Sequence, residues 1–170
     1  MSKDLAARVA NVVRVAGGTV VGRTKLQKMV YLLVQAGFES AVPYSYKHYG
    51  PYSDAVAAAA RDAHLLGFMS EREEMASWGG RYSVYSSNNA QGVDLDDPKV
   101  RFAALIAAAD AVELELAATA LFLKLDGVND AWVETQRRKP EKSDAGRLEK
   151  AKSLYAKLSS LQTPNPLPTV

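Results

Sequence analysis

Apolar positions recur along this chain at about 3.6 residues in some stretches and about 2 in others, and the changes of period divide it into elements. Leu5, Val9, Val12, Val13 and Ala16 share one helical face, which predicts a helix over residues 4–16 ending at Gly17-Gly18. Thr19-Val20-Val21 is short and β-branched, enough for one strand. Leu26, Met29, Val30 and Leu33 then recur at i, i+3, i+4 and i+7, predicting a second helix with Thr24 as its cap and Gly37 as its left-handed stop. Lys25, Lys28 and Gln35 fall off that stripe. Residues 44–49 alternate like a strand, and Gly50-Pro51 turns the chain into a third helix capped by Ser53 and stopped at Gly67. Val56, Ala59, Ala60, Ala63 and Leu66 form its apolar face. Two extended runs, 68–75 and 81–86, are joined through Trp78-Gly79-Gly80, a tip suited to a tight hairpin.

The second half reads differently. Residues 88–97 are polar and loop-like, and Asp97-Pro98 supplies a cap and first residue for the next helix. From 100 to 125 the chain is almost wholly apolar, one long helix or two, with 107–110 as the place for a break. Leu114, Ala117, Ala118, Leu121 and Leu125 make one stripe and Val112, Leu116, Ala120 and Leu123 another, so this helix belongs inside a core. Glu113 is either its buried acid or its solvent edge. A helix over 129–138, ended by Pro140, and an amphipathic helix over 144–161 follow. Residues 163–170 hold three prolines and are expected to form an extended, mobile tail. The fold class is mainly α with a small β-hairpin: a single α+β domain over 1–162, made of a winged-helix-like half (1–97) and a three-helix half (98–162).

Composition narrows the chemistry. The 170 residues include no cysteine, which removes disulfides, thiolate metal sites and a cysteine nucleophile, and two histidines leave little for a metal centre. No P-loop, nucleophile elbow, dinucleotide fingerprint or HExxH occurs, and Glu113 and Glu115 point to different helix faces. The expectation is therefore a protein without catalytic residues, cofactor or metal, with an undetected enzyme as the third alternative. The N-terminus is interrupted by Asp4, Arg8, Asn11 and Arg14, unlike a leader peptide or a membrane span, so a cytoplasmic protein is expected. The formal charge is +2. Residues 134–157 hold eight basic and four acidic residues, most simply a solvated helix face.

Two clusters invite a functional reading. Tyr44, Tyr46, His48, Tyr49 and Tyr52 concentrate aromatic area, with Tyr44, Tyr46 and His48 on one face of the expected strand; they suit either a partner-binding patch or a core seam. The helix–strand–helix–helix–hairpin order invites DNA binding, with Arg23, Lys25, Lys28, Arg61 and Arg81 as candidate contacts. Against it, the third helix offers mostly alanines with Asp54 and Asp62, and the hairpin carries Glu71, Glu73 and Glu74.

The stretches KLQKMVYLL (25–33) and HYGPYS (48–53) resemble the paired signature of the YwgA-like proteins and, more distantly, the Panacea domain of phage-associated proteins and SocA-like antitoxins. Fainter echoes lie at 114–125 and Lys139-Pro140. Tyr31 is followed by Leu32, and Pro51 by Tyr52, where the Panacea pattern has an aromatic and an apolar residue. The resemblance implies a non-catalytic interaction module, an antitoxin or adaptor beside a toxin-like or phage-associated partner. A homodimer is compatible with it. A DNA-binding regulator is the alternative.

Overall fold

The computed structural model describes residues 2–89 and 92–170. Among the described residues, seven helices and five short strands follow one another as α1 (Lys3–Val15), β1 (Thr19–Val21), α2 (Arg23–Gln35), β2 (Ser45–Lys47), β3 (Gly50–Tyr52), α3 (Asp54–Leu65), β4 (Met69–Met75), β5 (Arg81–Ser87), α4 (Pro98–Ala108), α5 (Ala111–Leu125), α6 (Ala131–Arg138) and α7 (Arg147–Ser160). The fold is mainly helical α+β.

Local chemistry explains most boundaries. Ser53, Asp97, Asp110 and Asp130 each accept from backbone amides at the head of the next helix, and Pro98 opens α4. The α4–α5 break falls within the expected 107–110 segment because Asp110 caps α5. The cap of α2 differs from expectation: the helix starts at Arg23 after Gly22, whose φ is 100°, and Gly22 makes no side-chain cap bond. Thr24 already lies inside the helix.

β1 and β4 flank β5 in an antiparallel sheet of order β1-β5-β4, with Val20 opposite Tyr85 and Arg72 opposite Val84. A second, two-stranded sheet pairs β2 with β3 in the register Ser45↔Tyr52, Tyr46↔Pro51 and Lys47↔Gly50. This corrects the expected strand over 44–49: strand β2 ends at Lys47, and His48-Tyr49 is the turn. Gly50-Pro51 stands in the return strand and does not itself turn the chain into a helix.

One buried cluster runs through the molecule. Leu26, Met29, Val30 and Leu33 of α2 share it with Leu114, Leu116 and Leu121 of α5, together with residues of α1, α3, α4, α6 and α7. The second half contributes four helices to this interior where three were expected. Residues 163–170 form neither helix nor strand and lie against the body: the Asn165 amide donates to the Ala36 carbonyl at 2.9 Å, Trp132 Nε1 donates to the Val170 carbonyl at 3.1 Å, and the Tyr155 hydroxyl donates to the Pro168 carbonyl. Among the described residues, no helix is long and apolar enough to cross a membrane.

Candidate functional site

Helix α2 is buried well beyond its apolar stripe. Gln27 and Lys28 are 3% and 1% exposed, and Tyr31 and Leu32 are buried beside them. A buried polar side chain needs a partner, and both find theirs on the β2–β3 hairpin and the residue after it. Gln27 grips Ser53 twice: its Nε2 donates to the Ser53 carbonyl at 2.9 Å, and its Oε1 accepts from the Ser53 amide at 3.0 Å. Lys28 Nζ donates to the Pro51 carbonyl at 2.8 Å. A two-stranded ribbon is marginal on its own, and these side chains satisfy backbone groups that it cannot pair internally.

The other side of the hairpin is held from α5 and the end of α6. Glu115, 3% exposed, is the buried acid of α5; Glu113 is half-buried. The Glu115 carboxylate accepts from Lys142 at 2.8 and 3.0 Å and pairs with Lys139 at 3.1 Å. Lys139 Nζ also donates to the His48 carbonyl at 2.9 Å. One turn along α5, Thr119 presses on Gly50, whose φ is +88°. A Cβ on Gly50 would stand 2.5 Å from Thr119 Oγ1 and 3.6 Å from Lys28 Cε. Thr119 Oγ1 has no hydrogen-bond partner among the described residues.

Two ammonium groups, Lys139 and Lys142, thus contact one carboxylate beneath the hairpin, and the Lys28 amine on the Pro51 carbonyl feels all three charges. Burial pushes the Lys28 amine down to about 8; Glu115 opposes that shift, and Lys139 and Lys142 add to it. The aromatic rings above are roofed by cations. Lys47 stands 4.4 Å from the Tyr52 centroid, Arg138 4.8 Å from Tyr46, and Lys142 4.6 Å from Tyr49.

The five aromatic candidates therefore separate. Tyr44 packs edge-on against Tyr31 at 4.9 Å, and its hydroxyl is buried, with burial raising its pKa. Tyr46 and Tyr52 are half-buried flanks of the hairpin. His48 and Tyr49 form the exposed tip, with Tyr49 52% exposed and the two rings 4.8 Å apart. His48 does not share a strand face with Tyr44 and Tyr46, because it belongs to the turn.

The five basic candidates separate as well. Arg23 pairs with Glu71 at 3.3 Å and Glu73 at 3.4 Å, and its Nε donates to the Ser83 hydroxyl at 3.0 Å. Arg81 pairs with Glu73 at 3.4 Å. Lys25 Nζ donates to the Ala107 and Ala109 carbonyls at 2.6 and 2.9 Å, serving the end of α4, and burial lowers its pKa. Lys28 is interior and presents no charge to a surface. Arg61 is exposed, with no carboxylate within 4.0 Å among the described residues.

Sequence reasoning missed the Lys28–Glu115–Lys139–Lys142 cluster. A detectable signal was Glu115 inside an otherwise apolar helix, since a carboxylate there needs cationic partners. Among the described residues, no group of three or more His, Asp or Glu is placed to hold a metal ion.

No protein-family model matches the chain. Over 120 residues it is 32% identical to the Uncharacterized protein YwgA of Bacillus subtilis (strain 168), an alignment spanning 66% of this chain and 70% of that protein.

Proposed function

The chain belongs to the YwgA-like family, and we propose that it is a non-catalytic protein–protein interaction module of the antitoxin or adaptor kind, with the 45–52 hairpin as its recognition element. The observation that carries this reading is the two-sided clamp on that hairpin. Gln27 and Lys28 hold its return strand, Lys139 holds its tip, and His48 and Tyr49 project outward. A surface ordered before encounter loses little conformational entropy on binding, and tyrosine offers a large amphipathic contact on a side chain with few rotatable bonds.

The test is capture from the native host with tagged wild type, Tyr49→Ala and His48→Ala, each checked for folding by circular dichroism. The reading expects a protein partner whose retention falls at least tenfold, or about 1.4 kcal/mol, in one or both variants. A partner held equally by all three, or none at all, contradicts it.

A DNA-binding regulator is the second reading, favoured by the α1-β1-α2-β2-β3-α3-β4-β5 order with sheet β1-β5-β4, which suits a winged helix-turn-helix with the β2–β3 hairpin inserted between its second and third helices, and by the uncommitted guanidinium of Arg61. The ion pairs of Arg23 and Arg81 and the interior placement of Lys28 weigh against it. Binding to duplex DNA that weakens steeply with salt, and is lost in Arg61→Gln, would favour this reading over the first.

A further inference from the structure

A cavity of about 130 Å³ opens between α2, α3 and the β4–β5 hairpin. It arises from small residues on α3. Ala57 and Ala60 face it where larger side chains would fill the gap, and Leu26 and Val56 complete an apolar floor. Its volume matches about four waters, or one branched aliphatic or small aryl group.

The polar wall has a definite charge pattern. Arg23 and Glu71 line it as a pair at 3.3 Å, and the Ser83 hydroxyl donates to the same Glu71 oxygen, Oε1, at 2.7 Å, so that oxygen is already engaged. Tyr85 also lines the wall; its pKa is held up to about 12 by burial first and by Glu71 second, so its hydroxyl stays a donor at neutral pH. Arg61 is the remaining charge on the lining. It is exposed and has no carboxylate within 4.0 Å among the described residues. The lining therefore carries two guanidiniums against one carboxylate. An apolar floor beside an uncommitted planar guanidinium suits a hydrocarbon group ending in a planar anion.

We propose that this cavity binds a small apolar carboxylate, a branched aliphatic or aryl acid. Its hydrocarbon part lies against Leu26, Val56 and Ala60, and its carboxylate pairs with Arg61. Tyr52 at the end of the hairpin also lines the cavity, whereas the exposed tip, His48 and Tyr49, does not, and the proposal does not rest on the interaction reading.

The test is a heteronuclear NMR titration of the full chain with isovalerate, isocaproate and phenylacetate, each beside its neutral amide. Saturable shifts are expected at Ala57, Arg61 and Tyr85, with the amides about tenfold weaker. Arg61→Gln should weaken the acids about tenfold and leave the amides unchanged. Ala57→Met, which fills the half-buried side of the cavity, should abolish both responses. Equal affinity for acid and amide, no saturable shift at these residues, or binding unaffected by Ala57→Met would overturn the assignment. An acetylated peptide ending in leucine separates sources: tighter binding than isocaproate points to a chain terminus as the natural carboxylate, weaker binding to a free acid. Either result retains the apolar carboxylate.

Discussion

Lys28 shows how little a residue's type says about its place. A lysine off the apolar stripe reads as solvated, yet this one is interior because the hairpin covers the second face of α2. The cost of its charge makes a pH prediction. In the unfolded chain the amine keeps its proton to about 10.5, in the folded chain to about 8. Between those values the unfolded state binds more protons, so this group's contribution to stability rises with pH and is lost as pH falls through about 8. Wild type should gain about 2 kcal/mol relative to Lys28→Met between pH 8 and 10 in urea titrations. Parallel curves for the two proteins would contradict the assignment. Glu115 is the complementary case. Glu115→Gln leaves the nearly buried Lys139 and the neighbouring amines without their counter-charge, and should cost about 3–5 kcal/mol at pH 7 by the same method. A loss below about 1 kcal/mol would mean that those amines are solvated.

Among elements, α2 and α5 were legible in outline and the 45–52 hairpin was not. Helical periodicity located the Leu26/Met29/Val30/Leu33 stripe because it reports one face, but Gln27, Lys28 and Tyr31 are buried by partners far along the chain. The caps Ser53, Asp97 and Asp110 act through neighbouring amides and are readable locally, whereas the α2 start depends on Gly22, where the left-handed backbone follows β1. The two stretches resembling the family signature turn out to touch, since Gln27 and Lys28 bond the backbone at Ser53 and Pro51. Gly50 is needed in that contact for both its φ and its closeness to Thr119. Gly50→Ala should cost about 2–4 kcal/mol by thermal or urea unfolding. Adding Thr119→Ala should recover the steric part and leave the backbone strain. Full recovery, or none, would show that one of the two causes is absent.

At the scale of the whole molecule, the shared interior of α2 and α5 followed from the apolar character of α5, but the docking of residues 163–170 did not. Three prolines suggested a mobile end; the tail instead supplies carbonyls to Trp132 and Tyr155 and lies so close to Gly37 that a Cβ there would meet the Asn165 amide at 2.9 Å. Polar acceptors on an irregular segment leave no periodic pattern, so sequence alone does not reveal such docking. Removing residues 163–170 should cost about 2–4 kcal/mol, and Trp132 emission should shift to the red. An unchanged spectrum and midpoint would indicate that the segment does not cover this surface.

The account depends most on the hairpin being clamped before any partner arrives, and amide hydrogen exchange at Ser53 tests that directly. The Ser53 amide should be protected nearly as well as the interior of α5 in wild type, and should lose that protection in Gln27→Leu while α5 keeps its own. Exchange at Ser53 as fast as in an open loop in the wild-type protein would contradict the clamp and the pre-ordered recognition surface built on it.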